Sequence, residues 1–389
     1  MALSITQTPA TASLAQSPII FTVSESNLVN LTSQSFQYIG ELYYWTGSLF
    51  ASGAVADYTI AKYPNLSNVG IFDLNRIINS TLTDLLQENP SNVVYFAVDF
   101  YNQFISSSLF TTSSHTKSQT YKALDGYGIF PEVIGAELNT LSTFYPLLTD
   151  GPNSQSAFIE NKGKSGCAVG ALGGTVADRI IYSGSTGNAV YFLSSSVSSS
   201  GQIDDYPIGP SESGFPISST NLEWFTVQPY NSTTALGAPI RYEIVCKQKY
   251  PNVRIKWKNR FGQWDWLNFY MVNRQTLTTT KRSYQPQLGS WEGSSFSYQS
   301  YDSAILDYIV DTKQTLQVNS FWLSEDYNDL LKQLMVSDEI YWQYDETDYN
   351  KLRPITITTS DILFKTGVVD KLIQYQFEFN LGQSYKLIM

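Results

Sequence analysis

Residues 250–274 read Y-P-N-V-R-I-K-W-K-N-R-F-G-Q-W-D-W-L-N-F-Y-M-V-N-R. Pro251 and Asn252 punctuate the chain, after which Val253, Ile255 and Trp257 alternate with Arg254, Lys256 and Lys258. A period of two is the mark of a half-buried strand with one apolar and one polar face. Asn259-Arg260-Phe261-Gly262 supplies a turn, with Gly262 free to take positive φ. Trp264, Trp266, Phe269 and Met271 begin a second run that Asp265 and Asn268 interrupt. The stretch therefore predicts a β-hairpin. Trp257, Trp264 and Trp266 are three of the chain's eight tryptophans, and they are expected in its core because each large ring buries roughly 150–250 Å².

The composition agrees with a β-rich chain. Of 389 residues, 14% are aromatic and only 15% charged, with 27 tyrosines and one histidine. Tyr, Thr, Val, Phe and Trp suit pleated, half-buried surfaces. Sparse charge fits surface that meets other protein, or equally a neutral β-rich surface. The net charge of −10 argues against a general nucleic-acid binder. Cys167 and Cys246 are too few for a disulfide framework and read as small buried hydrophobes. Residues 1–18 lack a basic n-region and an apolar core, so no signal peptide is expected, and no segment has the apolar length of a membrane span. A soluble protein made in a cytoplasm is the expectation.

Outward from the hairpin, residues 1–16 read as an extended arm, ordered only through a partner. Residues 17–105 read as an N-terminal β-sandwich of fibronectin or immunoglobulin type, with strands at 17–25, 36–45, 57–62 and 92–104. Asp73 is a candidate N-cap for a short helix carrying Leu74, Ile77, Ile78 and Leu82. Residues 106–126 hold S-S-S-L-F-T-T-S-S-H-T-K-S and read as a linker or exposed loop. Residues 127–303 predict a second β-domain with long loops, ending in the hairpin and a Gly-, Ser- and Tyr-rich excursion at 283–303. Residues 304–389 predict an α+β part. There Ser324 caps an amphipathic helix with Glu325 and Asp326 in its first turn and Tyr327, Leu330, Leu331, Leu334 and Met335 on one face. The fold class is mainly β.

Little catalytic chemistry is available. His115 is the lone histidine and sits in a Ser/Thr-rich loop without a nucleophile elbow, so the bland reading of a solvated side chain is preferred. One histidine and two distant cysteines make a poor zinc set. Gly163-Lys164-Ser165 resembles a phosphate loop, but the pattern needs glycine where Phe158 stands. The glycines of 166–175 read as a tight loop. Asp204-Asp205 and Glu325-Asp326 are adjacent acids of the kind found solvated or capping, though a glycosidase would need such a pair. No catalytic, cofactor or metal residue is assigned, and an enzyme is not expected.

Charge is unevenly placed. Basic residues outnumber acidic ones between Arg241 and Arg282, and acidic residues dominate between Glu325 and Asp348. Two solvated faces would explain this. Alternatively Arg254, Lys256 and Lys258 form a basic row that meets Asp338, Asp345, Glu346 and Asp348 of a neighbouring subunit, fixing register. Contact with DNA is the weakest reading.

The blocks Y-Y-W-T-G (43–47), D-Y-T-I-A-K (57–62), V-G-I-F-D-L-N-R-I-I (69–78) and the hairpin resemble motifs of virion proteins from tailed bacteriophages of Bacteroidota, including crAss-like phages. The C-terminal order of helix, S-D-E-I-Y-W, P-I-T-I-T-T-S-D and an alternating last strand is similar too, while 106–240 matches nothing in that group. The resemblance implies a neck, tail-hub or baseplate subunit in a virion, assembled from copies of itself in a ring beside other tail proteins. It brings no catalytic residue. A receptor- or glycan-binding tail module and a tail-associated glycan-degrading enzyme are the alternatives.

Overall fold

β-Branched and aromatic runs become strands through most of the chain. The computed structural model describes residues 3–27, 34–46, 55–86, 93–106, 108–128, 147–169, 177–193, 202–245, 249–344, 351–366, 373–382 and 386–388. The protein is mainly β, with several sheets and few helices among the described residues. It divides into two compact units, Met1–Val245 with Lys258–Asp265, and Cys246–Trp257 with Trp266–Met389.

In the first unit, a three-stranded sheet orders Ser4–Gln7, Ile20–Ser24 and Val69–Asp73. A seven-stranded sheet runs Ala12–Leu14, Tyr121–Leu124, Val94–Ser106, Gln34–Thr46 and Tyr58–Lys62, with two short strands added to Val94–Ser106. Phe21, Val23 and Phe72 of the small sheet share one apolar cluster with Tyr38, Phe96 and Phe100 of the large one. Helix Asn75–Leu86 adds Ile78 and Leu82 to that cluster. The Asp73 carboxylate accepts the Asn75 and Ile19 backbone N–H groups at 3.2 Å each. From one residue before the N-cap Leu74 it thus satisfies the first helical N–H and ties the helix start to a strand. A further six-stranded sheet centres on Arg179–Gly184 and Trp224–Asn231, and Lys164–Val169 pairs with Gln202–Pro207. Cys167 lies buried in the latter pair, where burial pushes its thiol up. Cys246 and the strand expected near 127–139 lie largely outside the described residues.

Two expectations for this unit change. Residues 4–7 and 12–14 are sheet strands, not an arm. Ser4–Gln7 pairs with Ile20–Ser24, Ala12–Leu14 pairs parallel to Tyr121–Leu124, and Leu3, Ala12 and Leu14 are buried. Small polar residues disguised them, since Ser-Ile-Thr-Gln carries a single apolar side chain. Residues 106–126 are likewise no linker. Leu109–Thr112 and Thr116–Lys117 fold back on Val94–Ser106, and Tyr121–Leu124 pairs with it and is buried.

In the second unit, an eight-stranded sheet runs Trp264–Phe269, Val253–Lys258, Ile340–Gln343, Leu352–Ile357, Gln376–Leu381, Leu306–Asn319 and Arg274–Tyr284, with Lys386–Ile388 also on Leu306–Asn319. A single turn at Glu325–Tyr327 leads into helix Asn328–Val336, whose Leu330, Leu331 and Leu334 are buried with Trp257, Phe269, Phe377 and Phe379. Ser324 is extended as an N-cap should be, but its side chain makes no capping bond. The boundary expected at 303/304 falls inside this sheet. Arg274–Tyr284 pairs with Leu306–Asn319 from Arg274 opposite Gln317 to Tyr284 opposite Leu306.

Candidate interaction surface

The hairpin at 250–274 forms, and its strand Val253–Lys258 is buried on both faces. Val253, Ile255 and Trp257 enter the apolar cluster of the second unit. Arg254 and Lys256 are also buried, each only 4% exposed. The Arg254 guanidinium lies 4.2 Å and the Lys256 ammonium 5.1 Å from the Trp266 ring centre, and Arg254 Nη1 donates to Gln343 Oε1 at 3.2 Å. Cation–aromatic stacking is a stable home for such groups when the aliphatic stems are desolvated. Trp257 is fully buried, Trp266 nearly so, and Trp264 half-buried.

This arrangement corrects the expected intersubunit basic row. Arg254 and Lys256 are not open to a neighbour, because Trp266 covers them. The acidic segment meets their strand within the same chain: Ile340–Gln343 pairs with it, placing Ile340 opposite Trp257 and Gln343 opposite Arg254. Asp338, just before that strand, is exposed, and Asp345, Glu346 and Asp348 lie outside the described residues. Period-two alternation could not reveal the cover, since a strand covered on both sides looks the same when one cover is a Trp ring over Lys and Arg.

The turn of the hairpin belongs to the first unit and is a buried polar plug. Lys258 pairs with Asp125, and Arg260 holds Asp150 through both Nε and Nη2, the latter at 3.1 Å. Asn259 Oδ1 accepts the Phe261 and Gln263 N–H groups at 3.0 Å each, while its Nδ2 donates to Leu148 O at 2.9 Å and to Asp265 Oδ2 at 3.1 Å. Thr149 Oγ1 donates to Asp265 Oδ1 at 2.7 Å. Burial, with a smaller push from Asp150, raises the Asp265 carboxyl to about 7 against these two lowering hydrogen bonds. Phe261 anchors the turn among Leu14, Leu124, Leu148 and Ile203. Gly262 takes φ 72°, and a Cβ there would sit 1.8 Å from Asp125 O, so glycine is required. The plug's charges serve one another and fix the turn, and nothing in them activates a nucleophile.

Open surface lies elsewhere in the second unit. All of Arg274–Tyr284 is exposed, and it ends the sheet with one side unpaired among the described residues. Its run Thr276-Leu277-Thr278-Thr279-Thr280 is β-prone, and Lys281 and Arg282 follow it. Beyond it the chain forms a small tip in which Ser290–Trp291 pairs with Phe296–Ser297. Trp291, Phe296, Tyr298 and Tyr301 are exposed there, beside an open cleft of about 450 Å³ lined by Gln287, Leu288, Glu292, Tyr298, Gln299 and Asp302. The sequence alone assigns no element to 275–282, and the excursion expected at 283–303 begins inside this strand. The β-branched run was the available signal.

No protein-family model matches the chain, and no curated protein matches it significantly.

Proposed function

We propose that the chain is a structural subunit of a tailed-phage particle, part of a neck, tail-ring, hub or baseplate assembly, that joins its neighbours through protein–protein contacts. The observation that carries this reading is the eleven-residue exposed edge strand Arg274–Tyr284 leading to an aromatic tip. An unpaired edge of that length is a template for another strand, and soluble proteins that work alone cover or shorten such edges. Exposed Leu277, Tyr284, Trp291 and Phe296 add apolar contact area along the same arm. Identical subunits that add strand to surface head to tail close into a ring when the rotation permits. The two sheets of the N-terminal part, sharing one apolar cluster, are read as the faces of an immunoglobulin-like sandwich that serves as scaffold. The role is structural, with no reaction assigned, and the location is the virion.

A glycan-binding tail module is the second reading, favoured by the tip cleft. Carboxylates and amides beside exposed aromatics are the groups that hold sugars, and there Gln287, Glu292 and Asp302 lie beside Tyr298.

The test uses strand chemistry. Along an antiparallel strand, alternate N–H groups face opposite sides. One of two proline pairs, Leu277→Pro with Thr279→Pro or Thr278→Pro with Thr280→Pro, therefore strikes the open edge, and the other strikes the pairing with Leu306–Asn319. Assembly is read by light scattering and electron microscopy of purified protein, and mass spectrometry of purified particles asks whether the chain is in them. Loss of assembly by one pair, with the fold intact, supports the reading. A chain absent from particles, or one whose assembly ignores both pairs, overturns it. Glycan binding lost on replacing 285–305 by Asn-Gly, with assembly unchanged, favours the second reading.

A further inference from the structure

We propose that Glu41, Asp99 and His115 form a binding site for a divalent transition-metal ion, with Zn²⁺ as its natural probe. Glu41 and Asp99 are direct cross-strand partners in the seven-stranded sheet, on Gln34–Thr46 and Val94–Ser106. On the other side of Val94–Ser106, Lys117 is opposite Asp99, which brings His115 alongside. One donor atom from each of the three residues lies within 4.8 Å of the other two. His115 Nδ1 stands 3.1 Å from Asp99 Oδ2.

The surroundings orient this set. Tyr43 and Tyr101 follow Glu41 and Asp99 by two residues, so they share a sheet face with them. Tyr43 donates its hydroxyl to Glu41 Oε2 at 3.0 Å, and Tyr101 donates to Glu41 Oε1 at 3.2 Å. The Tyr101 ring packs on the imidazole with centroids 4.5 Å apart. Hydrogen bonds of this kind fix the direction of ligating carboxylates. Asp99 Oδ1 is buried and accepts no hydrogen bond. A buried acceptor without a donor is costly, and a cation shared by the carboxylate would relieve that cost. Two negative oxygens and one imidazole nitrogen suit Zn²⁺, or Mn²⁺, better than Ca²⁺, which wants six or more oxygens. His115 is half-exposed, which leaves the remaining coordination positions to water. The Lys117 ammonium sits over the Tyr43 ring at 5.5 Å and is the competing cation near the site. A bound ion would pin 108–117 to the long strand Val94–Ser106.

His115 is the chain's one histidine, which gives a clean reporter. Untagged protein, stripped with chelator, is titrated with Zn²⁺ by calorimetry and with Co²⁺ by visible absorption and proton NMR. The expected result is one ion per chain, a Co²⁺ shift of the single imidazole, and at least tenfold weaker Zn²⁺ binding in His115→Ala and in Glu41→Gln. Because His115 is exposed, its variant keeps the fold, which circular dichroism checks. Absence of saturable Zn²⁺ binding in the calorimetric titration overturns the proposal. So does binding that both variants retain, or an imidazole that Co²⁺ leaves unshifted.

Discussion

Asp265→Asn removes the most buried ionisable group of the hairpin plug while nearly keeping its shape. The Asp265 carboxyl is raised from 3.8 to about 7, chiefly by burial. Below pH 3.8 the folded and unfolded chains both hold the proton. Between 3.8 and about 7 the folded chain keeps a proton the unfolded chain has lost, so stability falls as pH rises, and above 7 the full penalty remains. A shift of about 3 units corresponds to roughly 4 kcal/mol, taking about 1.4 kcal/mol per unit. Asparagine does not titrate. Like the protonated carboxyl it offers one carbonyl acceptor and one donor group toward Thr149 and Asn259. The variant is therefore expected to match the parent closely at pH 4 and to be the more stable protein at pH 8. Urea unfolding of both proteins at half-unit steps, followed by tryptophan fluorescence, measures the difference directly. Curves that stay parallel from pH 4 to 8 would show that Thr149 and Asn259 hold the carboxylate charged in the folded chain, and the reasoning would fail.

Trp257→Ala opens a cavity among Ile255, Phe269, Leu331 and Phe377, and is expected to cost about 3–5 kcal/mol by thermal or chemical denaturation. A midpoint that barely moves would mean the ring is not part of that cluster. Arg254→Glu or Lys256→Glu places a carboxylate under Trp266 in a buried site. Loss of about 3–5 kcal/mol, seen as aggregation or a sharply lower melting temperature, is the expected outcome. A well-folded monomer that merely fails to assemble would restore the basic row as an outer surface.

The hairpin, the helix Asn328–Val336 and the long strand Val94–Ser106 were legible because each is local. Alternation, a capped apolar stripe and an apolar run need no knowledge of the rest of the chain. What failed depends on partners far away in sequence. Ala12–Leu14 is a strand only because Tyr121–Leu124 lies beside it, more than a hundred residues on. Arg274–Tyr284 is held by Leu306–Asn319 across an aromatic tip, and no apolar alternation within the segment announces it as a strand. The metal candidate was invisible for the same reason. Glu41, Asp99 and His115 have no motif spacing, and pairing register alone brings them together. His115 reads in the sequence as a lone histidine, and only the strand register sets it beside Asp99 and Glu41.

The burial of Arg254 and Lys256 also decides where assembly can be tested. A charge reversal at either residue unsettles the subunit before it can reach a partner, so loss of assembly there carries no information about an interface. Exposed ion pairs contribute only about 0–1 kcal/mol each, too little to hold a ring by themselves. Strand addition at an open edge instead supplies a row of backbone hydrogen bonds without requiring buried charge. In the proposed assembly its cost would fall on the free subunit, where that edge is uncovered. Lys281 and Arg282 near the end of Arg274–Tyr284 are the kind of residue that discourages indiscriminate edge pairing, and Lys281 is held by Asp307 at 2.9 Å. Under the proposed strand addition, a partner strand would match the threonine-rich segment and leave that basic end open, which favours one register over the others.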